Sequence, residues 1–137
     1  MQVRKGMSTE ILTVGPGHTL REAAEQMHRR RVGSAVVIDP ELPGPGILTE
    51  RDILDAVGAG QDVDKECVAD HLTADLVFAA PDWSLEQAAA TMTRGGFRHL
   101  VVIEDGEIAG MLSVRDIVRC WTEDGATSEM PAPPQAA

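Results

Sequence analysis

The sequence predicts an α/β (α+β) fold: two β-α-β-β-α repeats packed sheet to sheet about a pseudo-twofold axis. Three observations predict it. The chain repeats itself at a nearly fixed offset. Each copy alternates helical and extended hydrophobic patterns in the same order. And 137 residues hold both copies and little else. At an offset of 65, Val3 meets Val68, Pro16 meets Pro81, Leu20 meets Leu85, and Ala23-Ala24 meet Ala88-Ala89. Met27 meets Met92, Arg29 meets Arg94, and Val36-Val37-Ile38 meet Val101-Val102-Ile103. The offset then drops to 64, and Gly46-Ile47-Leu48-Thr49-Glu50-Arg51-Asp52-Ile53 meets Gly110-Met111-Leu112-Ser113-Val114-Arg115-Asp116-Ile117. Identity that stays in phase through an insertion marks a duplication.

Each element has a local cause. Short extended pieces, residues 11–14 and 76–79, lead to a Pro and a polar cap. Thr19 and Ser84 are N-cap candidates, and Glu22 and Gln87 three residues on complete a capping box. Leu20, Ala23, Ala24 and Met27, like Leu85, Ala88, Ala89 and Met92, recur at i, i+3, i+4, i+7, the apolar stripe of a helix. Gly33 and Gly95-Gly96 interrupt these helices. The runs at residues 35–38 and 100–103 are β-branched and continuous, which predicts buried strands. Asp105-Gly106 predicts a tight hairpin; the first copy has the proline-rich loop 40–46 instead. A second strand (46–48; 108–112) leads to a second helix (50–57; 114–121). Between the copies, Gly58 and Gly60 predict a break, and Val63, Cys67, Val68 and Leu72 a short helix. The expected division is residues 3–60, then 61–122 including the linker helix, then a disordered tail from 123 to 137 rich in polar residues and proline.

Composition narrows the function. The net charge of −10 opposes long-range attraction to nucleic acid, and 3% aromatics leave no stacking platform for single strands. No apolar run approaches the ~20 residues of a membrane span, and no signal peptide follows the basic start. Two cysteines, Cys67 and Cys120, do not make a disulfide scaffold. A cytoplasmic protein is expected. His18, His28 and His71 lack metal-ligand spacing and are expected at the surface. Ser113, His99 and Asp116 do not form a nucleophilic arrangement, because the Ser and Asp share one helix turn and the His stands on a strand. No enzyme activity is expected.

V-G-S-A-V-V-I-D with G-I-L-T-E-R-D-I, followed by F-R-H-L-V-V-I-E with G-M-L-S-V-R-D-I, resembles a tandem pair of cystathionine-β-synthase (CBS) domains. The resemblance runs from Val3 to about Trp121 and leaves no room for another domain, so a free-standing pair is expected. It implies a regulatory sensor that binds an adenosine compound and forms a homodimer, with no required cofactor. It also implies two crossed clefts. One would combine Thr49 and Asp52 with Val77, Phe78, Phe97, Arg98, His99 and Leu100. The other would combine Ser113 and Asp116 with Leu12, Thr13, Val32, Gly33, Ser34 and Ala35.

The chemistry is coherent. A carboxylate accepts from both ribose hydroxyls, a Thr or Ser at a helix N-terminus stands where phosphate is favoured, and Arg98 offers a bidentate fork. Apolar residues such as Val77 and Phe97, or Leu12 and Val32, would hold adenine. Each item has a second reading. Thr49 with Asp52, and Ser113 with Asp116, also fit simple helix caps. Arg98 and His99 point to opposite faces of a strand start. Arg29-Arg30-Arg31 complements a helix C-terminus, or else rims a phosphate site. Two departures from the CBS pattern stand out. Val36 and Val101 occupy a position where many relatives carry Pro, and the first copy has Gly33-Ser34 in place of Arg98-His99. The alternative function is a ligand-independent scaffold that recruits an unknown protein partner.

Overall fold

A computed structural model describes residues 1–124. Helix α2 (Leu20–Arg30) begins at Thr19, whose hydroxyl accepts from the Glu22 N–H while the Glu22 carboxylate accepts from the Thr19 N–H. Helix α4 (Leu85–Gly95) repeats the arrangement with Ser84 and Gln87. Leu20, Ala23 and Met27, and their counterparts Leu85, Ala88 and Met92, are buried. The i, i+3 and i+7 positions of the predicted stripe are therefore the core face, while Ala24 and Ala89 at i+4 are half-buried. The helices end differently. Gly96 closes α4 in the left-handed region at φ 73°, whereas Arg31 adopts the same conformation at φ 56° at the end of α2. A side chain there costs about 1 kcal/mol or more relative to glycine.

The strands form two three-stranded sheets. In the first, β1 (Thr13–Val14) pairs in parallel with β2 (Ser34–Val37), which pairs antiparallel with β3 (Gly46–Thr49). In the second, β4 (Phe78–Ala79), β5 (His99–Glu104) and β6 (Glu107–Ser113) repeat that order. All four residues of β2 are buried, as a continuous apolar run requires. Asp105 (φ 54°) and Gly106 (φ 80°) form the two-residue hairpin turn between β5 and β6. The Val36 N–H donates to the Leu12 carbonyl at 2.8 Å, a bond that proline at this position would lose. Helices α3 (Glu50–Gly58) and α5 (Val114–Asp124) follow the last strand of each sheet. Since α5 extends through Asp124, Glu123 and Asp124 are helical, not the start of a tail; the rest of the expected tail lies outside the described residues.

The chain folds as two compact units, Thr9–Val77 in one and Met1–Ser8 with the chain from Phe78 onward in the other. Those units differ from the expected division at residue 60. Two segments change place. The linker, with its single 3₁₀ turn Val68–Asp70, packs on the body of the first repeat, and the N-terminal helix α1 (Val3–Gly6) packs on the body of the second. The bonding is the same in both. Val3 donates to the Trp83 carbonyl at 2.7 Å, Arg4 to Pro81 at 2.9 Å, and Leu85 back to Met1 at 2.9 Å. Val68 donates to His18 at 2.8 Å, Ala69 to Pro16 at 3.0 Å, and Leu20 back to Glu66 at 2.9 Å. Each group in one set stands 65 positions from its partner in the other.

Val3 and Val68 are fully buried, each in the core of the unit it completes. The close approach recurs at two glycines. A Cβ on Gly46 would lie 2.8 Å from Leu72, and one on Gly110 would lie 2.7 Å from the Ser8 carbonyl oxygen. Only glycine fits where these segments cross β3 and β6.

Candidate ligand-binding rims

In each unit, the start of the middle strand lies beside the end of the third strand and the helix that follows. In the first sheet Ser34 pairs with Thr49, and the Glu50 N–H donates to the Gly33 carbonyl at 3.0 Å. In the second, His99 pairs with Ser113, and the Val114 N–H donates to the Arg98 carbonyl at 2.9 Å. One rim therefore gathers Gly33, Ser34, Thr49 and Asp52, and the other Arg98, His99, Ser113 and Asp116. The crossed combinations expected from the resemblance draw one part from each of these rims.

The hydroxyl and the acid form a complete cap in each unit. Asp52 Oδ2 accepts from the Thr49 N–H at 2.8 Å and the Thr49 hydroxyl at 3.0 Å, while Thr49 Oγ1 accepts from the Asp52 N–H at 3.3 Å. Asp116 Oδ2 accepts from the Ser113 N–H at 2.8 Å, and Ser113 Oγ accepts from the Asp116 N–H at 3.0 Å. The reason is local: i to i+3 is the reach of a capping box. The second carboxylate oxygen differs. Asp52 Oδ1 accepts no hydrogen bond from a described residue, whereas Asp116 Oδ1 lies 3.4 Å from the Arg119 guanidinium. That guanidinium also donates to the Gly6 carbonyl at 3.1 Å. Hydrogen bonding to Asp116 raises the Arg119 pKa above its usual value.

The remaining expected contacts divide by burial. Leu12, Ala35 and Leu100 are 3%, 1% and 1% exposed and belong to the hydrophobic cores. Their side chains pack in those cores and do not line a surface slot. Ser34 is buried as well. Thr13, Val77 and Phe78 are exposed, Val32 is half-buried, and Arg98 is exposed beside a half-buried His99. Phe97 lies against the end of α4, with its ring where a side chain on Gly95 would stand.

Two residues that shape the rims escaped the sequence reading. A Cβ on Gly33 would lie 3.3 Å from the Glu50 carboxylate, so Glu50 folds over the strand start that in the other copy carries Arg98. The signal was present in the alignment of Glu50 with Val114. Arg119 is the other, aligned with Asp55.

Other expectations resolve plainly. His71 is not a surface residue; its side chain is 14% exposed and lies 2.9 Å from the Glu66 carboxylate. His18 is half-buried, and its Nδ1 accepts from the Gly15 N–H at 2.9 Å. Cys67 and Cys120 are free thiols, the latter buried in the core. Arg29 and Arg30 share a shallow surface depression with Glu22, Glu25 and Gln26, so carboxylates of the same helix line it with them. Among the described residues, no cluster of His, Cys, Asp or Glu is placed to hold a metal ion, and no helix is long and apolar enough to cross a membrane.

Comparison with known proteins agrees with this architecture. The CBS domain family matches twice, over residues 2–59 and 68–123. A 17.7 kDa protein from Acidianus ambivalens is 37% identical over 113 residues, covering 82% of this chain and 68% of its own. The protein MJ1225 from Methanocaldococcus jannaschii is 30% identical over 128 residues, 93% of this chain, but this chain spans only 45% of that relative's length. The CBS domain pair of MJ0100, solved in complex with 5′-methylthioadenosine and S-adenosyl-L-methionine, superposes with a TM-score of 0.79 at 20% identity, over 90% of this chain and 98% of that one. The hexameric CBS-CP12 protein from bloom-forming cyanobacteria superposes with a TM-score of 0.83 at 23% identity, over 90% of this chain and 74% of its own. Two family matches, each ending at the helix that follows its capped Thr or Ser, establish that the chain belongs to the CBS-domain family and carries two such domains in tandem.

Proposed function

We propose that this protein is a regulatory sensor that binds an adenosine-containing ligand at its rims and acts as a homodimer in the cytoplasm. The observation that carries the reading is the half-buried Asp52 carboxylate. One oxygen is held by the cap, and the other accepts no bond from a described residue. A carboxylate oriented by the Thr49 backbone N–H and hydroxyl, with an oxygen to spare, suits the adjacent hydroxyls of a ribose. Ser113 caps a helix N-terminus beside Arg98 and His99, where the dipole favours an anionic group. The adenosine compounds bound by the MJ0100 pair support the ligand class. The residues proposed to take part are Thr49, Asp52, Val77, Phe78, Phe97, Arg98, His99, Ser113, Asp116, Thr13, Val32, Gly33 and Ser34, with Leu12, Ala35 and Leu100 contributing backbone alone. No catalytic step is assigned.

The two rims favour different ligands. Arg98 with His99 suits phosphates. Glu50 over Gly33 disfavours them, and a nucleoside or a cationic sulfonium nucleoside fits that rim better. Isothermal titration with adenosine, AMP, ATP and S-adenosylmethionine tests the reading. Binding that falls at least tenfold in Asp52→Asn but not in Arg29→Ala is the expected result. No heat from any member of the series, in protein stripped of co-purified ligand, would overturn it.

A second reading has its own observation. Both capping boxes are complete without a ligand, as an adaptor that only recruits a partner protein would require. A thermal shift under nucleotide at 100–1,000 times its Kd, equivalent to about 3–4 kcal/mol, would favour the sensor. No shift, with a specific protein partner retained, would favour the adaptor.

A further inference from the structure

Arg119 joins two parts of the second unit that are far apart in sequence. Its Nη2 lies 3.1 Å from the Gly6 carbonyl and 3.4 Å from Asp116 Oδ1, and its Nη1 lies 3.8 Å from Glu123. Gly6 ends the four-residue helix α1, where the last carbonyl has no partner inside the helix. The guanidinium supplies that partner. Gly6 also sits close on α5: a Cβ there would lie 2.9 Å from Cys120 Sγ. On either side of Gly6, main-chain bonds hold the head of the chain. Val3 and Arg4 donate to Trp83 and Pro81, and Ser8 exchanges two bonds of 2.9 Å with Met111. Arg4 adds an exposed ion pair with Glu104 at 2.9 Å.

The first unit keeps the strand pairing without this link. Ile47 exchanges bonds of 2.8 and 2.9 Å with Thr73, but the repeat aligns Gly6 with His71 and Arg119 with Asp55. The His71 side chain meets Glu66 of the linker itself. We propose that Arg119 couples the docking of Met1–Ser8 to ligand binding at Asp116: a ribose hydroxyl that takes Asp116 Oδ1 displaces the guanidinium and loosens the head. The inference rests on the adenosine reading above. Nη2 carries two hydrogens, one for each acceptor, so the carboxylate sets the direction in which the guanidinium meets Gly6. At 3.4 Å the contact with Oδ1 is long for a charge-assisted bond, and it is the one that gives way. A ribose hydroxyl donating to Oδ1 competes for the same lone pairs. Linkage makes the effect reciprocal: freeing Asp116 from Arg119 strengthens the grip on the sugar by the factor that the sugar weakens the head.

Backbone hydrogen exchange of the full chain tests the coupling, in an Asp52→Asn background so that Asp116 is the acid left for the sugar. Adenosine is the probe, because it brings the ribose without phosphate. At saturation it should speed exchange of the Ser8 and Met111 amides about fivefold and leave the aligned Thr73 and Ile47 amides unchanged. Adding Arg119→Gln should speed the Ser8 and Met111 amides about fivefold without adenosine, and raise adenosine affinity about fivefold in isothermal titration. An arginine with a structural role alone would not raise affinity when removed. The adenosine arm keeps Arg119 in place, so it decides the matter whether or not Arg119→Gln folds. Adenosine that binds yet leaves Ser8 and Met111 exchange unchanged or slowed would overturn the coupling and leave the sensor reading intact. No adenosine binding by the parent chain or by either variant would overturn both.

Discussion

The two units are built from one plan and differ where it matters for chemistry. Their caps, sheet order and head-segment hydrogen bonds match residue for residue across the duplication. Their rims do not. One has Arg98 at a strand start with Val114 beside it; the other has Gly33 covered by Glu50. One acid, Asp116, is approached by Arg119; the other, Asp52, keeps an oxygen without a described partner. Duplication thus preserved the parts that close the core and let the charged rim residues diverge. Buried positions are held by packing density, so a changed volume is felt at once. A solvated charge at a strand end has no such restraint.

The largest expected effect probes the shared plan. Val3→Ala and Val68→Ala each remove two carbons from a fully buried site, and each should cost about 2 kcal/mol. Urea denaturation of the two variants should give losses that agree within about 0.5 kcal/mol. A Val3 loss near zero would break the equivalence and show that α1 is dispensable to its unit.

The next effect probes the divergence. Arg98→Ala should lower affinity for ATP by about tenfold, the value of one charge-assisted contact, and leave adenosine binding unchanged. Glu50→Gln should raise affinity for phosphate-bearing ligands by a few-fold. Titrations in which both variants shift adenosine and ATP alike would remove the charge distinction between the rims.

The smallest effect concerns the helix ends. Arg31 and Gly96 occupy the same left-handed cap in the two units. Arg31→Gly should stabilise the chain by up to about 1 kcal/mol, and Gly96→Arg should destabilise it by a similar amount. A melting temperature unmoved by either change would mean that the Arg31 side chain offsets the backbone strain through contacts of its own.

Much of the plan was legible before any coordinates. Thr19 with Glu22 and Ser84 with Gln87 read as caps because a capping box is a matter of three residues' spacing. Asp105-Gly106 read as a hairpin turn because few dipeptides tolerate two positive φ angles. The hydroxyl-x-x-acid pairs were legible in both of their readings, and the structure shows the capping one in full. The roles of some expected contact residues were less legible. Leu12, Ala35 and Leu100 stand among other apolar residues, so alternation gave no sign of which face they serve. Glu50 was overlooked because an acid in a first helical turn is ordinary; its meaning comes from Gly33, 17 positions earlier, which leaves space for it.

Spacing, capping chemistry and the two-phase repeat, all short-range or internal comparisons, were enough to set the elements, their order and their kinship. The partner each piece chose came from folding in three dimensions. The head of the chain could be aligned with the linker from letters alone, but that Met1–Ser8 completes the body of the second repeat, and the linker that of the first, follows from which buried surface was left uncovered. Burial is a property of the whole packed assembly of side chains, and no local pattern carries it.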